Sequence, residues 1–404
     1  MTETCQPSDA HVVVVAGVAG SGKTTLGRAL AAELGVPLLD LDAVTTPLLD
    51  ALPPELWDGH WLRGPHAAAV REGRYAALRA VAADAVATAG GAVLVAPFTR
   101  ELQGGAAWEL LRAAVAPATP HVLHLTGDSD LLAARRAERA TPRDLHRADE
   151  TPPPPAIPVT RIDADLSTAQ QLARVRVVVG PRPSLDPDAV VFRRTFDAVL
   201  FDLDGTLVDS TASVIRSWRR FAAHYGVSAE ALHENHGQPA HVLVSRLLAP
   251  AQHTEGLDRI LDLELSDAVD LPSVPGARAL YDAVPAHRRA IVTSGAAPLA
   301  AARLAAAGFA APGVFVTADD VTRGKPDPDP FRTAATRLGV DPARCLVVED
   351  AAAGIAAARA AGCTVLAVTG TVDAEALPAD LVVDGLDRVA LTADADGLHL
   401  RPLG

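Results

Sequence analysis

The sequence predicts two α/β domains in tandem, each a parallel sheet covered by helices on both faces. Three observations lead there. The length of 404 residues exceeds what one hydrophobic core organises. From His11 onward, short Val- and Leu-rich stretches, glycine loops and helical stretches alternate. The same rhythm starts again at Phe196, after a proline-rich break.

In the first half, candidate strands lie at 11–16, 37–40, 92–96 and 121–126, with helical periodicity between them. Residues 139–157 are rich in Arg, Asp and Pro and end in Pro152 to Pro155, so they cannot continue a helix or a central strand and read as a mobile lid or loop. An apolar element follows over 158–179. The stretches Gly180-Pro181-Arg182-Pro183 and Asp186-Pro187-Asp188 mark a linker over 181–194, between domains at 1–180 and 195–404. Strands in the second half are expected near 196, 289–293, 313–316, 345–349 and 364–368, with a helical insert over about 212–285.

Composition narrows the class. Apolar residues make up 49%, enough to fill separate cores. A net charge of -13 without a basic run argues against nucleic-acid and anionic-membrane partners. Cys5, Cys345 and Cys363 are odd in number and widely spaced, which argues against a disulfide framework and for a reducing, cytoplasmic setting. No apolar run is long enough to span a bilayer, and no signal peptide is read at the N-terminus. Of the 36 basic residues all but Lys23 and Lys325 are arginine, and both lysines fall inside phosphate-handling motifs, where a compact ammonium serves better than a planar fork.

The first motif is Gly17-Val18-Ala19-Gly20-Ser21-Gly22-Lys23-Thr24, which follows a Val-rich strand and opens a helical stretch. In such a loop, Gly17, Gly20 and Gly22 let the backbone N–H groups of residues such as Ser21 and Thr25 curl around nucleotide phosphates. Lys23 bridges phosphate oxygens, and Thr24 can hold Mg²⁺ beside ATP. Asp40 and Asp42 follow the second strand two residues apart, where strand side chains share a face. With these carboxylates the first half resembles gluconate- and shikimate-kinase-like small-molecule kinases. That resemblance implies that Asp40 and Asp42 meet the acceptor hydroxyl or Mg²⁺, and that Arg135 and Arg139, at the start of the lid, neutralise the transferred phosphoryl group. Arg63, Thr99 and Arg100 are acceptor-side candidates.

The second motif is Asp202-Leu203-Asp204-Gly205-Thr206, at the end of an apolar strand. Asp202 can attack phosphorus to give an aspartyl phosphate, while Asp204 reaches the leaving oxygen as acid and then activates water as base. Gly205 permits the tight turn. Two anions and a phosphate need Mg²⁺ and a basic residue, and the sequence supplies Thr293-Ser294-Gly295 for the phosphate, then Lys325 as the ammonium, then Glu349-Asp350 as metal-binding carboxylates. In order, these resemble the four motifs of the haloacid dehalogenase superfamily, in its sugar- and polyol-phosphate phosphatase branch, similar to β-phosphoglucomutase. The resemblance implies a Rossmann-like core with a small helical cap. It makes Asp202 the nucleophile and Asp204 the acid/base. Thr206, Ser294, Gly295, Thr293 and Lys325 become phosphate contacts, and Asp202, Asp204, Glu349 and Asp350 become Mg²⁺ ligands. In the insert, His236-Gly237-Gln238-Pro239 resembles the branch's substrate loop, with Gln238 where Arg is usual.

The resulting expectation is a bifunctional enzyme acting on small-molecule phosphate and hydroxyl substrates with ATP and Mg²⁺. Three alternatives stand beside it: a phosphatase with an ATP-sensing domain, a polynucleotide kinase–phosphatase, and a phosphosugar mutase in the second half.

Overall fold

The computed structural model describes residues 11–56, 60–62, 65–139, 152–180, 184–227, 240–370 and 377–403. The chain divides into two compact units, Met1–Gly180 and Pro181–Gly404.

In the first unit, β1 (His11–Gly17), β2 (Leu38–Asp40), β3 (Gly91–Ala96), β4 (His121–Thr126) and β5 (Thr160–Asp163) pair in the order β2-β3-β1-β4-β5, all parallel. Its helices are α1 (Lys23–Leu34), α2 (Leu41–Asp50), α3 (Ala67–Ala89), α4 (Gly105–Ala114), α5 (Ser129–Arg139) and α6 (Thr168–Val179). The run Val12 to Val15 explains why β1 is central. Alternation sends Val12 and Val14 into one core with Tyr75, Leu78 and Leu111, and Val13 and Val15 into another with Leu26, Leu30 and Val175. Each buried valine contributes about 1.5 to 3 kcal/mol, so one short run fastens helices to both faces. The stretch 158–179 resolves into β5 and α6 rather than one element. Of the expected lid, residues 140–151 lie outside the described residues. Just beyond them, Ala156 N and Ile157 N donate to Leu102 O at 2.8 and 3.3 Å.

In the second unit, β7 (Ala198–Phe201), β8 (Arg289–Val292), β9 (Val314–Val316), β10 (Cys345–Glu349), β11 (Thr364–Val368) and β12 (Leu381–Val383) form a parallel sheet in the order β12-β11-β10-β7-β8-β9. Beside it β6 (Thr195–Phe196), β13 (Val389–Ala393) and β14 (Leu398–Pro402) make a small antiparallel sheet. The core helices are α10 (Ala277–Ala283), α11 (Ala297–Ala306), α12 (Asp329–Leu338) and α13 (Ala352–Ala361). Between β7 and β8 the chain leaves the core to build α7 (Thr211–Tyr225), α8 (Ala240–Leu247) and α9 (His253–Asp267). These three helices share a separate cluster of Trp218, Phe221, Leu243, Val244 and Ile260.

Two boundaries differ from the sequence expectation. The insert ends before α10, whose Ala277, Leu280 and Tyr281 are buried in the core rather than in the insert. Val190–Arg193, expected in the linker, forms a 3-10 turn with Val191 buried in the same core. Among the described residues, no helix is long and apolar enough to cross a membrane.

Candidate active sites

In open parallel sheets, sites form beyond the carboxyl ends of the strands where the strand order reverses. β1 lies between β3 and β4, and β7 lies between β10 and β8. Each carries one of the two motifs at its C-terminal end.

The phosphate loop runs from Gly17 into α1, with Ser21 fully buried and Thr25 exposed on the first turn. Lys23 Nζ donates to Val18 O at 3.2 Å, folding over its own loop. Thr24 Oγ1 donates to Asp40 Oδ2 at 2.8 Å, which joins a hydroxyl and a carboxylate that could together hold a hard cation. Asp40 and Asp42 do not share a strand face. Asp40 ends β2 as the N-cap of α2, where Oδ1 accepts from Asp42 N and Ala43 N at 2.9 and 3.3 Å, and Asp42 sits in the first helical turn. Asp42 Oδ1 accepts from Arg74 Nη2 at 2.6 Å. The Arg74 guanidinium also lies 4.7 Å from the Trp61 ring centre. One turn earlier on α3, Arg71 pairs with buried Glu101 at 3.2 Å.

Arg135 and Arg139, expected at the start of the lid, lie on α5. Arg135 Nη1 donates to Ala164 O at 2.9 Å. Arg136 Nη1 instead reaches Ala19 O of the phosphate loop at 3.4 Å. The helical register decides this: Arg136 is one turn on from the buried Leu132, and Arg135 is about 100° round the helix. The side chain of Arg139 and the whole of Arg63 lie outside the described residues.

At the second site, Asp202 is buried at the end of β7, and Lys325 reaches it from the loop before α12. Lys325 Nζ directs its three donors to Asp202 Oδ1 at 2.6 Å, Glu349 Oε1 at 2.7 Å and Val292 O at 2.9 Å. Glu349 Oε2 accepts from Asp350 N and Ala351 N, both at 2.9 Å. Thr293 Oγ1 accepts from Gly295 N at 3.0 Å, while Ser294 is exposed. Thr206 Oγ1 donates to Asp350 Oδ1 at 3.4 Å. Gly205, with φ of 86°, lets its N–H turn back to Val208 O at 2.7 Å.

One ammonium between two buried carboxylates leaves an excess of negative charge. Burial pushes the Asp202 carboxyl up to about 7; Lys325 pulls it down, and Glu349 and Asp204 add to the rise. The same two carboxylates hold the Lys325 ammonium above its ordinary range. Asp202, Glu349 and Asp350 offer oxygens all within 4.8 Å of one another, and all three are buried. An all-carboxylate, electron-rich set of this kind fits Mg²⁺. Within it Glu349 is the least available, since both its oxygens already accept hydrogen bonds. Asp204 is not in this set. Its Oδ1 accepts instead from Ser210 Oγ at 2.6 Å and Arg303 Nη1 at 2.9 Å.

Gly354 on α13 is part of the same construction. A Cβ there would lie 1.6 Å from Glu349 Oε1, so only a bare Cα lets this carboxylate stand between Lys325 and the α13 N-terminus. Gly354→Ala is expected to displace Glu349, to lower stability by about 1 to 3 kcal/mol in urea unfolding, and to slow phosphate release measured alongside.

The insert joins the core at a neck where Asp209 N donates to Pro272 O at 2.9 Å and Val208 bridges to Ser273. His236, Gly237 and Gln238 lie outside the described residues. Arg136, Arg74 and Arg303 were missed in the sequence. For Arg303 a signal existed: it shares a face of α11 with Leu299, Ala300 and Leu304, where a charge is out of place unless it has a partner.

Comparison with known proteins finds a match in each half. A family model described as haloacid dehalogenase-like hydrolase matches residues 196–362, and one described as AAA domain matches 12–151. Hexitol phosphatase A of Escherichia coli (strain K12) is 40% identical over 49% of this chain and 95% of its own length. Validoxylamine A 7'-phosphate phosphatase of Streptomyces hygroscopicus subsp. limoneus is 35% identical over 48% of this chain and 96% of its own. Glycerol-1-phosphate phosphohydrolase 1 of Saccharomyces cerevisiae (strain ATCC 204508 / S288c) is 31% identical over 50% and 89%. With its aspartate site at the end of β7 and its phosphate loop at the end of β1, the chain belongs to the haloacid dehalogenase-like hydrolases and carries a P-loop kinase-like domain ahead of its phosphatase domain.

Proposed function

We propose that this is a bifunctional enzyme whose C-terminal half hydrolyses the phosphomonoester of a polyol or sugar and whose N-terminal half transfers phosphate from ATP to a small-molecule hydroxyl. The observation that carries the first part is Lys325 clamped between Asp202 and Glu349, which fixes a nucleophilic carboxylate at the end of a buried strand. An oxygen of Asp202 attacks phosphorus, and the bond from phosphorus to the substrate oxygen breaks as Asp204 gives that oxygen its proton. Water then attacks the aspartyl phosphate, Asp204 takes the proton of that water, and Asp202 and inorganic phosphate separate. Mg²⁺ held by Asp202 and Asp350, with Glu349 behind them, would supply neutralisation of phosphate charge and favour ionised Asp202. Relatives named as hexitol and glycerol phosphate phosphatases favour a polyol substrate.

For the first half, the Thr24–Asp40 contact beside Lys23 supports catalysis on a nucleotide, with Mg²⁺ at that pair. The Asp42–Arg74 pair next to Trp61 is the proposed acceptor side. A phosphate-release panel of polyol, sugar and nucleotide monophosphates, run with Mg²⁺ and with EDTA, tests the phosphatase. A polyol or sugar phosphate should stand out and EDTA should abolish its turnover; turnover of nucleotides alone would refute the substrate class. The dephosphorylated product is the first acceptor to incubate with labelled ATP.

A further inference from the structure

Asp204 is held from two directions by groups that the four motifs do not include. Ser210, at the start of the insert, and Arg303, on α11 of the core, both donate to Oδ1, at 2.6 and 2.9 Å. Oδ2 is left facing the turn after β8, where a Cβ on Gly295 would be 3.9 Å away. The oxygen that exchanges a proton with the leaving group is therefore Oδ2, and its direction depends on what grips Oδ1.

Arg303 has a second arm. Its Nη2 donates to Glu264 Oε1 at 3.3 Å, and Glu264 lies on α9 of the insert. Arg303 is 4% exposed and Glu264 7%. It is the charged residue of an α11 otherwise made of Ala, Leu and Pro. A leucine would fill such a place at less cost if packing were the whole purpose. The planar guanidinium can serve two carboxylates in fixed directions at once, which an ammonium on a flexible stem cannot.

We propose that Arg303 is the positioning residue of the acid/base, holding Asp204 with one guanidinium arm and the insert, through Glu264, with the other. Asp204 is then aimed for proton transfer when the insert is docked on the core, because undocking takes Glu264 away and leaves a buried cation with one carboxylate in place of two. The proposal rests on the phosphatase reading above.

The test compares kcat/KM on glycerol phosphate, an alkyl ester whose leaving oxygen needs a proton, with that on p-nitrophenyl phosphate, whose leaving oxygen needs little help. kcat/KM reports the first chemical step, so a later slow step does not mask the difference. Arg303→Gln should lose about 100-fold on the alkyl ester and no more than about 10-fold on the aryl ester. Arg303→Lys, which preserves the charge but not the fork, should recover part of the alkyl loss. Glu264→Gln should raise KM on both esters and lower the alkyl-to-aryl ratio by less than Arg303→Gln does, since Arg303 then keeps Asp204 but loses its second carboxylate; an unchanged ratio would remove the coupling to docking. Equal losses on the two esters in Arg303→Gln would mean a merely structural role and would overturn the proposal, and if that variant does not fold, Arg303→Lys is judged by the same ratio. An unchanged KM in Glu264→Gln would remove the insert-holding arm. Wild-type protein that hydrolyses neither ester would refute the phosphatase reading instead.

Discussion

Asp202→Asn should abolish phosphate release, lowering the rate on the best substrate by a factor on the order of 10⁴ or more, because it removes the carboxylate proposed to form the covalent intermediate. The substitution preserves shape, so the effect is chemical. It also removes a charge from a site that resists it. A carboxyl whose folded pKa is raised binds its proton more tightly when folded, so its contribution is fully present below the unfolded value and is lost as pH rises to the folded one. For Asp202 that window runs from 3.8 to about 7. In EDTA, the melting temperature of the wild type should therefore fall relative to Asp202→Asn across that window. At pH 7, Mg²⁺ should raise the wild type and have a smaller effect on the variant. A constant difference between the two proteins across the window would show that burial of Asp202 carries no such cost.

The second large effect belongs to the other half. Lys23→Ala should reduce ATP-dependent phosphorylation of an acceptor by roughly 10² to 10³-fold, since its ammonium is the mobile cation of the phosphate loop, and should leave phosphate release by the Asp202 site unchanged. Lys23→Arg should fail to restore it: the planar fork is longer and cannot curl over the loop to a carbonyl as Lys23 does on Val18 O. Labelled ATP and a dephosphorylated acceptor provide the measurement. Persistent transfer in Lys23→Ala would place the chemistry elsewhere, whereas a fall in both activities would mean that the halves do not act independently.

Much of this could be read from the chain because strand-end motifs are local. Asp202, Thr293 and Glu349-Asp350 each follow an apolar run that is legible by itself, and the phosphate loop sits between a Val run and a helix. What escaped depends on contacts far apart in sequence. Arg303 meets Asp204 across 99 positions, and nothing in the spacing announces it. Asp40 was placed with Asp42 on a strand, but its capping role requires knowing that α2 begins at Leu41. β12 was missed because Leu381–Val383 is a short edge strand with only Val383 fully buried, too brief for a periodic signal. The antiparallel sheet was missed because Thr195–Phe196 pairs with Leu398–His399 near the far end of the chain.

The neck at Asp209–Pro272 has a consequence for how such enzymes diversify. The chain leaves the core and returns to it at adjacent residues that are hydrogen-bonded to each other, so the insert behaves as a closed loop hung on a fixed clasp. Doubling the length of a flexible loop costs only about 0.6 kcal/mol in closure entropy. The insert can therefore be lengthened or shortened while β7, Asp202 and Lys325 keep their places, so long as Ser210 still meets Asp204 and Glu264 still meets Arg303. New specificity is then a matter of grafting around those two contacts, with the nucleophile and its lysine inherited intact.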